Sequence, residues 1–144
     1  AEMAANTRLP ENGTVFISVT PYDRGAVTKI ARDLHQLGFK LIATIGTGTY
    51  LQSVGIPAEI INKVSDGSPN IVDAIRAGNI DLIINTPRGG QAHYDGGIIR
   101  GTAHLYGVPI ITTLSAAMAM VQGIKALRQK PLKVRSLQAH HEMA

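Results

Sequence analysis

The run Thr44-Ile45-Gly46-Thr47-Gly48-Thr49 carries the strongest chemical signal in this chain. Glycines opening a helix leave backbone N–H groups unpaired at the positive end of the helix dipole, and threonine hydroxyls add further donors; together these suit a phosphate. Taken alone, Gly46 and Gly48 need mark no more than a tight strand-to-helix turn. The signal grows with what could converge on it. Asn85, Thr86 and Arg88 offer an amide, a hydroxyl and a guanidinium within one short run, and Arg24 and Lys63 add two cations. Arginine grips phosphate oxygens with paired hydrogen bonds, whereas lysine supplies a compact charge. Each cation by itself reads as a solvated surface group. Their shared position, just after a strand-like run, is the informative feature.

The elements that must position these residues follow from periodicity. Apolar runs of strand length fall at 14–19, 40–44, 59–61, 81–85 and 109–112. Helical stretches separate them. Val27, Ile30, Ala31, Leu34 and Leu37 share one face of a helix that Asp23 could cap and Gly38 would end. Ile71, Val72 and Ile75 mark another helix, stopped by Gly78. A helix capped by Asp95, with Gly96 and Gly97 as a soft start, should reach Tyr106. Leu114, Ala117, Met118, Val121 and Ile124 stripe the last one. A short edge strand is expected over 133–138. Five β/α cycles with short connections predict an α/β fold: a single Rossmann-like domain with a five-stranded parallel sheet and helices on both faces. Ligands of such sheets sit beyond the carboxyl ends of the strands. The expected divisions are a linker over 1–12, the domain over 13–138 and a flexible tail over 139–144.

At 144 residues the chain suits one domain with a real core, and 44% hydrophobic with 17% charged residues is ordinary globular composition. No apolar run approaches a membrane span, and the first dozen residues hold no signal-peptide core, so no membrane partner is expected. Cysteine is absent, which excludes disulfides and thiolate metal sites and fits the cytoplasm. A net charge of +4 suits nucleic acid, an acidic surface or a small anion. Aromatic residues make up only 4%, which argues against nucleic-acid stacking, and the small anion is preferred.

Several chemistries lack their equipment. There is no GxxxxGK[ST] loop, and no GxGxxG follows the first strand, which runs into Thr20-Pro21-Tyr22. The five histidines, His35, His93, His104, His140 and His141, show no metal-ligand spacing, so no metal is expected. Ser115 lacks the setting of a nucleophile elbow. No catalytic residue is assigned.

Read in order, 13–19, 43–47, 61–64, 83–86, the stretch from Asp95 to Arg100 and 112–114 resemble the methylglyoxal-synthase-like domain family. The likeness spans 14–138 and is greatest to the regulatory domains that end carbamoyl phosphate synthetase large subunits. Arg8-Leu9-Pro10 resembles their linker. The resemblance implies a nucleotide-effector domain for UMP or IMP, with Arg24, Thr44, Gly46, Thr47, Lys63 and Asn85 at matching contacts. Pro87 stands where a member has threonine. Thr112 or Thr113 matches a position linked to ornithine. The implied partners are the rest of the large subunit and the glutaminase small subunit. Homo-oligomerisation is left open. ATP and Mg would belong to the parent's ligase sites, for arginine and pyrimidine synthesis, and the domain itself would need no cofactor. The alternative is a free methylglyoxal synthase acting on dihydroxyacetone phosphate. That enzyme's pattern has its essential aspartate where this chain has Ser68, and a histidine where Tyr94 stands. Serine cannot replace a carboxylate base near neutral pH.

Overall fold

The computed structural model describes residues 12–86 and 91–143, with backbone alone for 91–95 and 130–143. The linker expected over 1–12 lies, apart from Asn12, outside the described residues, as do Pro87 and Arg88.

Five strands alternate with five α-helices: β1 (Thr14–Ser18), α1 (Arg24–Gln36), β2 (Lys40–Ala43), α2 (Ile45–Ser53), β3 (Glu59–Ile60), α3 (Ile71–Arg76), β4 (Leu82–Asn85), α4 (Gln91–Leu105), β5 (Ile110–Ile111) and α5 (Leu114–Met143). All strands are parallel, in the spatial order β3-β2-β1-β4-β5. The chain therefore builds outward from β1 to one edge, returns, and builds from β4 to the other. This is the doubly wound architecture expected from the repeated cycle.

The period-two alternation of strands splits the core in two. Val15, Ile17, Leu41, Leu82 and Ile84 pack on one face against Val27, Ile30 and Leu34 of α1 and Val121 and Ile124 of α5. Phe16, Ile42 and Ile83 point the other way, onto Ile71 and Ile75 of α3 and Ile99 and Ala103 of α4. Central strands buried on both faces explain why β1 and β4 read as unbroken apolar runs. Gly38, at φ +96°, closes α1 as expected: its amide bonds to His35 O at 3.0 Å and that of Phe39 to Leu34 O at 3.0 Å.

Several local expectations are corrected. Asp23 does not cap α1; a 3₁₀ turn over Pro21–Asp23 precedes the helix, and the Asp23 carboxylate accepts from Thr20 Oγ1 at 3.0 Å. α4 starts at Gln91, so Asp95 and the glycine pair lie inside it. In α5, Met120 is buried and Met118 is 48% exposed, the reverse of the expected stripe member. The strand expected over 133–138 is helical, and α5 continues through Met143 over the expected tail. The good helix formers of 125–130 carry the helix forward despite Pro131, whose place in a helix interior costs about 3 kcal/mol.

Candidate functional site

Parallel sheets concentrate ligand groups where the strand order reverses, here between β1 and β4. A cleft of ≈ 180 Å³ opens at this point, lined by residues that follow four different strands. Arg24, Gly46, Thr47, Lys63, Asn85 and Thr86 all border it, as does Thr44. Of the eight ligand residues anticipated from sequence, seven thus share one site; the eighth, Arg88, lies outside the described residues. Thr112 and Thr113 do not border the cleft. Thr113 caps α5 instead, its Oγ1 accepting from Ala116 N at 3.2 Å.

Hydroxyls stitch the floor of the cleft together. Thr47 is 1% exposed, and its Oγ1 accepts from Val19 N at 3.2 Å and donates to Val19 O at 3.4 Å. Thr86 Oγ1 accepts from Thr20 N at 3.0 Å. Ser18 Oγ and Thr44 Oγ1 lie 3.1 Å apart. These side chains fix the segments after β1, β2 and β4 relative to one another. Of the hydroxyls expected from sequence as ligand donors, that of Thr47 is engaged in both directions by Val19, whereas Thr86 Oγ1 only accepts and keeps its O–H to donate.

Other donors are of a different kind. The first amides of a helix have no intrahelical acceptor, and Thr44 makes no side-chain cap on α2. The amides of Ile45, Gly46 and Thr47 therefore belong to an uncapped helix N-terminus. Arg24 reaches the same turn: a Cβ on residue 46 would overlap its Nη2. Glycine at this position lets the guanidinium lie against the backbone. Two buried donors, Arg24 Nε and Asn85 Nδ2, have no hydrogen-bond partner. A cation against the positive end of a helix is unfavourable, and buried donors without acceptors cost free energy. An anion between Arg24 and the α2 turn would offset the first and give Arg24 Nε an acceptor. Among the described residues, the charged side chains bordering the cleft, Arg24 and Lys63, are both cations.

Two other depressions surround Lys40 and Glu59 at the starts of β2 and β3. There the charges already pair with each other at 3.0 Å. Among the described residues no cluster of three His, Asp or Glu could hold a metal ion, and no helix is long and apolar enough to cross a membrane.

Sequence reasoning missed the cleft's β1 exit, Val19 and Thr20, and its α4 wall, Gly96 and Ile99. The Gly96-Gly97 pair within an otherwise helical stretch was the available signal for that wall.

A doubly wound α/β domain with an anion-receptive cleft at its switch point is the class that fold and site define. The family model of the MGS-like domain matches residues 26–112, and the chain belongs to that family. The carbamoyl phosphate synthase large chain of Archaeoglobus fulgidus is 48% identical over 143 residues, covering 99% of this chain and 13% of that protein. The C-terminal section of the large chain from Methanopyrus kandleri is also 48% identical over 143 residues, with 99% of this chain and 26% of that protein covered. The chain thus spans only a small part of these relatives. Among solved structures, methylglyoxal synthase from Elizabethkingia anophelis superposes with a TM-score of 0.64 at 16% identity, covering 78% of this chain and 79% of that one. That likeness is one of fold.

Proposed function

We propose that this chain is an effector-binding regulatory domain from the C-terminal end of a carbamoyl phosphate synthetase large subunit, and that its cleft binds a nucleoside monophosphate such as UMP or IMP. The observation that carries this reading is that two orphaned buried donors, Arg24 Nε and Asn85 Nδ2, belong to residues bordering the same cleft as the uncapped α2 turn. Among the described residues such a site offers donors to an oxyanion and no carboxylate or imidazole base. The similarity to carbamoyl phosphate synthase large chains over 99% of this chain supports the parent. Regulation would require the effector to favour one state of the parent, typically by about 1–3 kcal/mol. The remaining large subunit, the glutaminase subunit and the ATP-dependent ligase chemistry belong to that parent, in the cytoplasm.

The shared fold of methylglyoxal synthase favours the competing reading, a lyase acting on dihydroxyacetone phosphate. Ser68 is exposed and does not border the cleft. Proton abstraction beside a carbonyl needs a base within hydrogen-bond reach. Calorimetric titration with UMP, IMP and inorganic phosphate, beside a methylglyoxal assay, separates the readings. Saturable nucleotide binding without turnover is expected. Methylglyoxal formation, or no binding of any of the three, would end the regulatory assignment.

A further inference from the structure

Arg100 is a half-buried guanidinium on α4, four residues after Gly96, with no partner among the described residues. Long helical side chains lean back toward the helix N-terminus, which lays Arg100 over the glycine pair. A Cβ on residue 96 would stand 3.2 Å from Arg100 Nη1 and 3.5 Å from Asn85 Nδ2. Asn85 is only 6% exposed, and its Nδ2 is one of the two orphaned donors. Two donors from different elements therefore converge beside Gly96, which itself borders the cleft. Asn85 Nδ2 lacks an acceptor and Arg100 Nη1 stands beside the same glycine, so one oxygen set between them would accept from both.

We propose that Arg100 is a further ligand-binding residue of this cleft, acting with Asn85 Nδ2 on one oxygen of the effector, and that Gly96 keeps that position open. The inference rests on the effector-binding reading of the cleft. Register places this donor pair on the far side from the α2 turn. β1 pairs with β2 on one side and with β4 on the other, putting Thr44 and Asn85 about 10 Å apart, two strand spacings. The ligand is thus gripped from both banks. The shared chemistry is an oxygen acceptor, carried either by the phosphate or by the sugar or base.

Arg100→Gln, Arg100→Lys and Gly96→Ala, each checked for an unchanged circular dichroism spectrum, would be titrated with UMP, IMP and inorganic phosphate. Charged hydrogen bonds of this kind predict about a tenfold or greater loss of nucleotide affinity in Arg100→Gln, with a smaller loss in Arg100→Lys. If phosphate weakens in parallel, the oxygen is the phosphoryl group's; if only the nucleotides weaken, it lies on the sugar or base. Should Arg100→Gln fail to fold, Gly96→Ala fills the space between the two donors while leaving both in place, and the same loss is expected. Wild-type affinities in both Arg100→Gln and Gly96→Ala would overturn the inference while leaving effector binding intact. Absence of binding by the wild-type chain would overturn both.

Discussion

Gly46 and Thr47 are neighbours with opposite duties. Gly46 sits where a side chain would displace the Arg24 guanidinium, while Thr47 is buried and bound to the backbone of Val19. Gly46→Ala should leave the fold intact, since alanine gains about 1 kcal/mol of helix propensity over glycine. Its nucleotide affinity should fall about tenfold or more as Arg24 loses its charge-assisted contact. Calorimetry beside a heating scan checks both halves. Thr47→Val should behave in the opposite sense. It strands the Val19 amide and carbonyl, and destabilisation of about 1–3 kcal/mol is expected in urea unfolding.

At the scale of elements, two devices hold helices in place. α3 is only six residues long and begins with a reciprocal cap: Asn70 Oδ1 accepts from Val72 N at 2.9 Å, and Asp73 Oδ2 accepts from Asn70 N at 2.9 Å. Asn70→Ala should cost about 1 kcal/mol in chemical denaturation, the usual worth of an N-cap. The second device is Asp33, whose carboxylate receives Lys29 of its own helix at 3.2 Å and Lys125 of α5 at 3.1 Å. Burial alone would raise the Asp33 carboxyl, but hydrogen bonds from Lys125 and Lys29, reinforced by their charges, hold it below its ordinary 3.8. A lowered folded pKa stabilises above the ordinary value, and that stability is lost as pH falls from there through the folded value. Asp33→Asn should therefore be less stable than wild type at neutral pH, and the difference should shrink below pH 3.8. Because the Lys29 side chain is 68% exposed and that of Lys125 35%, water screens the pair and the neutral-pH loss should be about 1 kcal/mol. Parallel pH-dependent urea melts would reveal a difference that instead persists in acid.

For the molecule as a whole, the cleft joins segments that follow four strands, so a bound ligand ties the switch point together. Ligand at about one hundred times its dissociation constant adds about 2.7 kcal/mol to a folded state that alone binds it. For a domain of this size that corresponds to a rise of roughly 5–10 °C in Tm. Heating scans with IMP should show that rise growing with concentration, and a plateau at low ligand would contradict mass action. The same scans on Arg24→Gln should show little rise.

The sheet and many of the residues that border the cleft were legible in the sequence itself. Hydrophobic period, glycine stops and short connections are local properties, and they determined five β/α cycles and a parallel sheet. What the order of residues could not express is which donors remain free after folding. Thr47 looks like a ligand hydroxyl, yet it accepts from and donates to the backbone of Val19, 28 positions away in sequence. Gly96 and Gly97 look like a helix start, yet they lie within α4 beside Arg100, with Gly96 also beside Asn85. Hydrogen-bond partnership across strands depends on register and distance in three dimensions. Only tertiary structure therefore decided that, among the described residues, the buried Arg24 Nε and Asn85 Nδ2 are left without an acceptor.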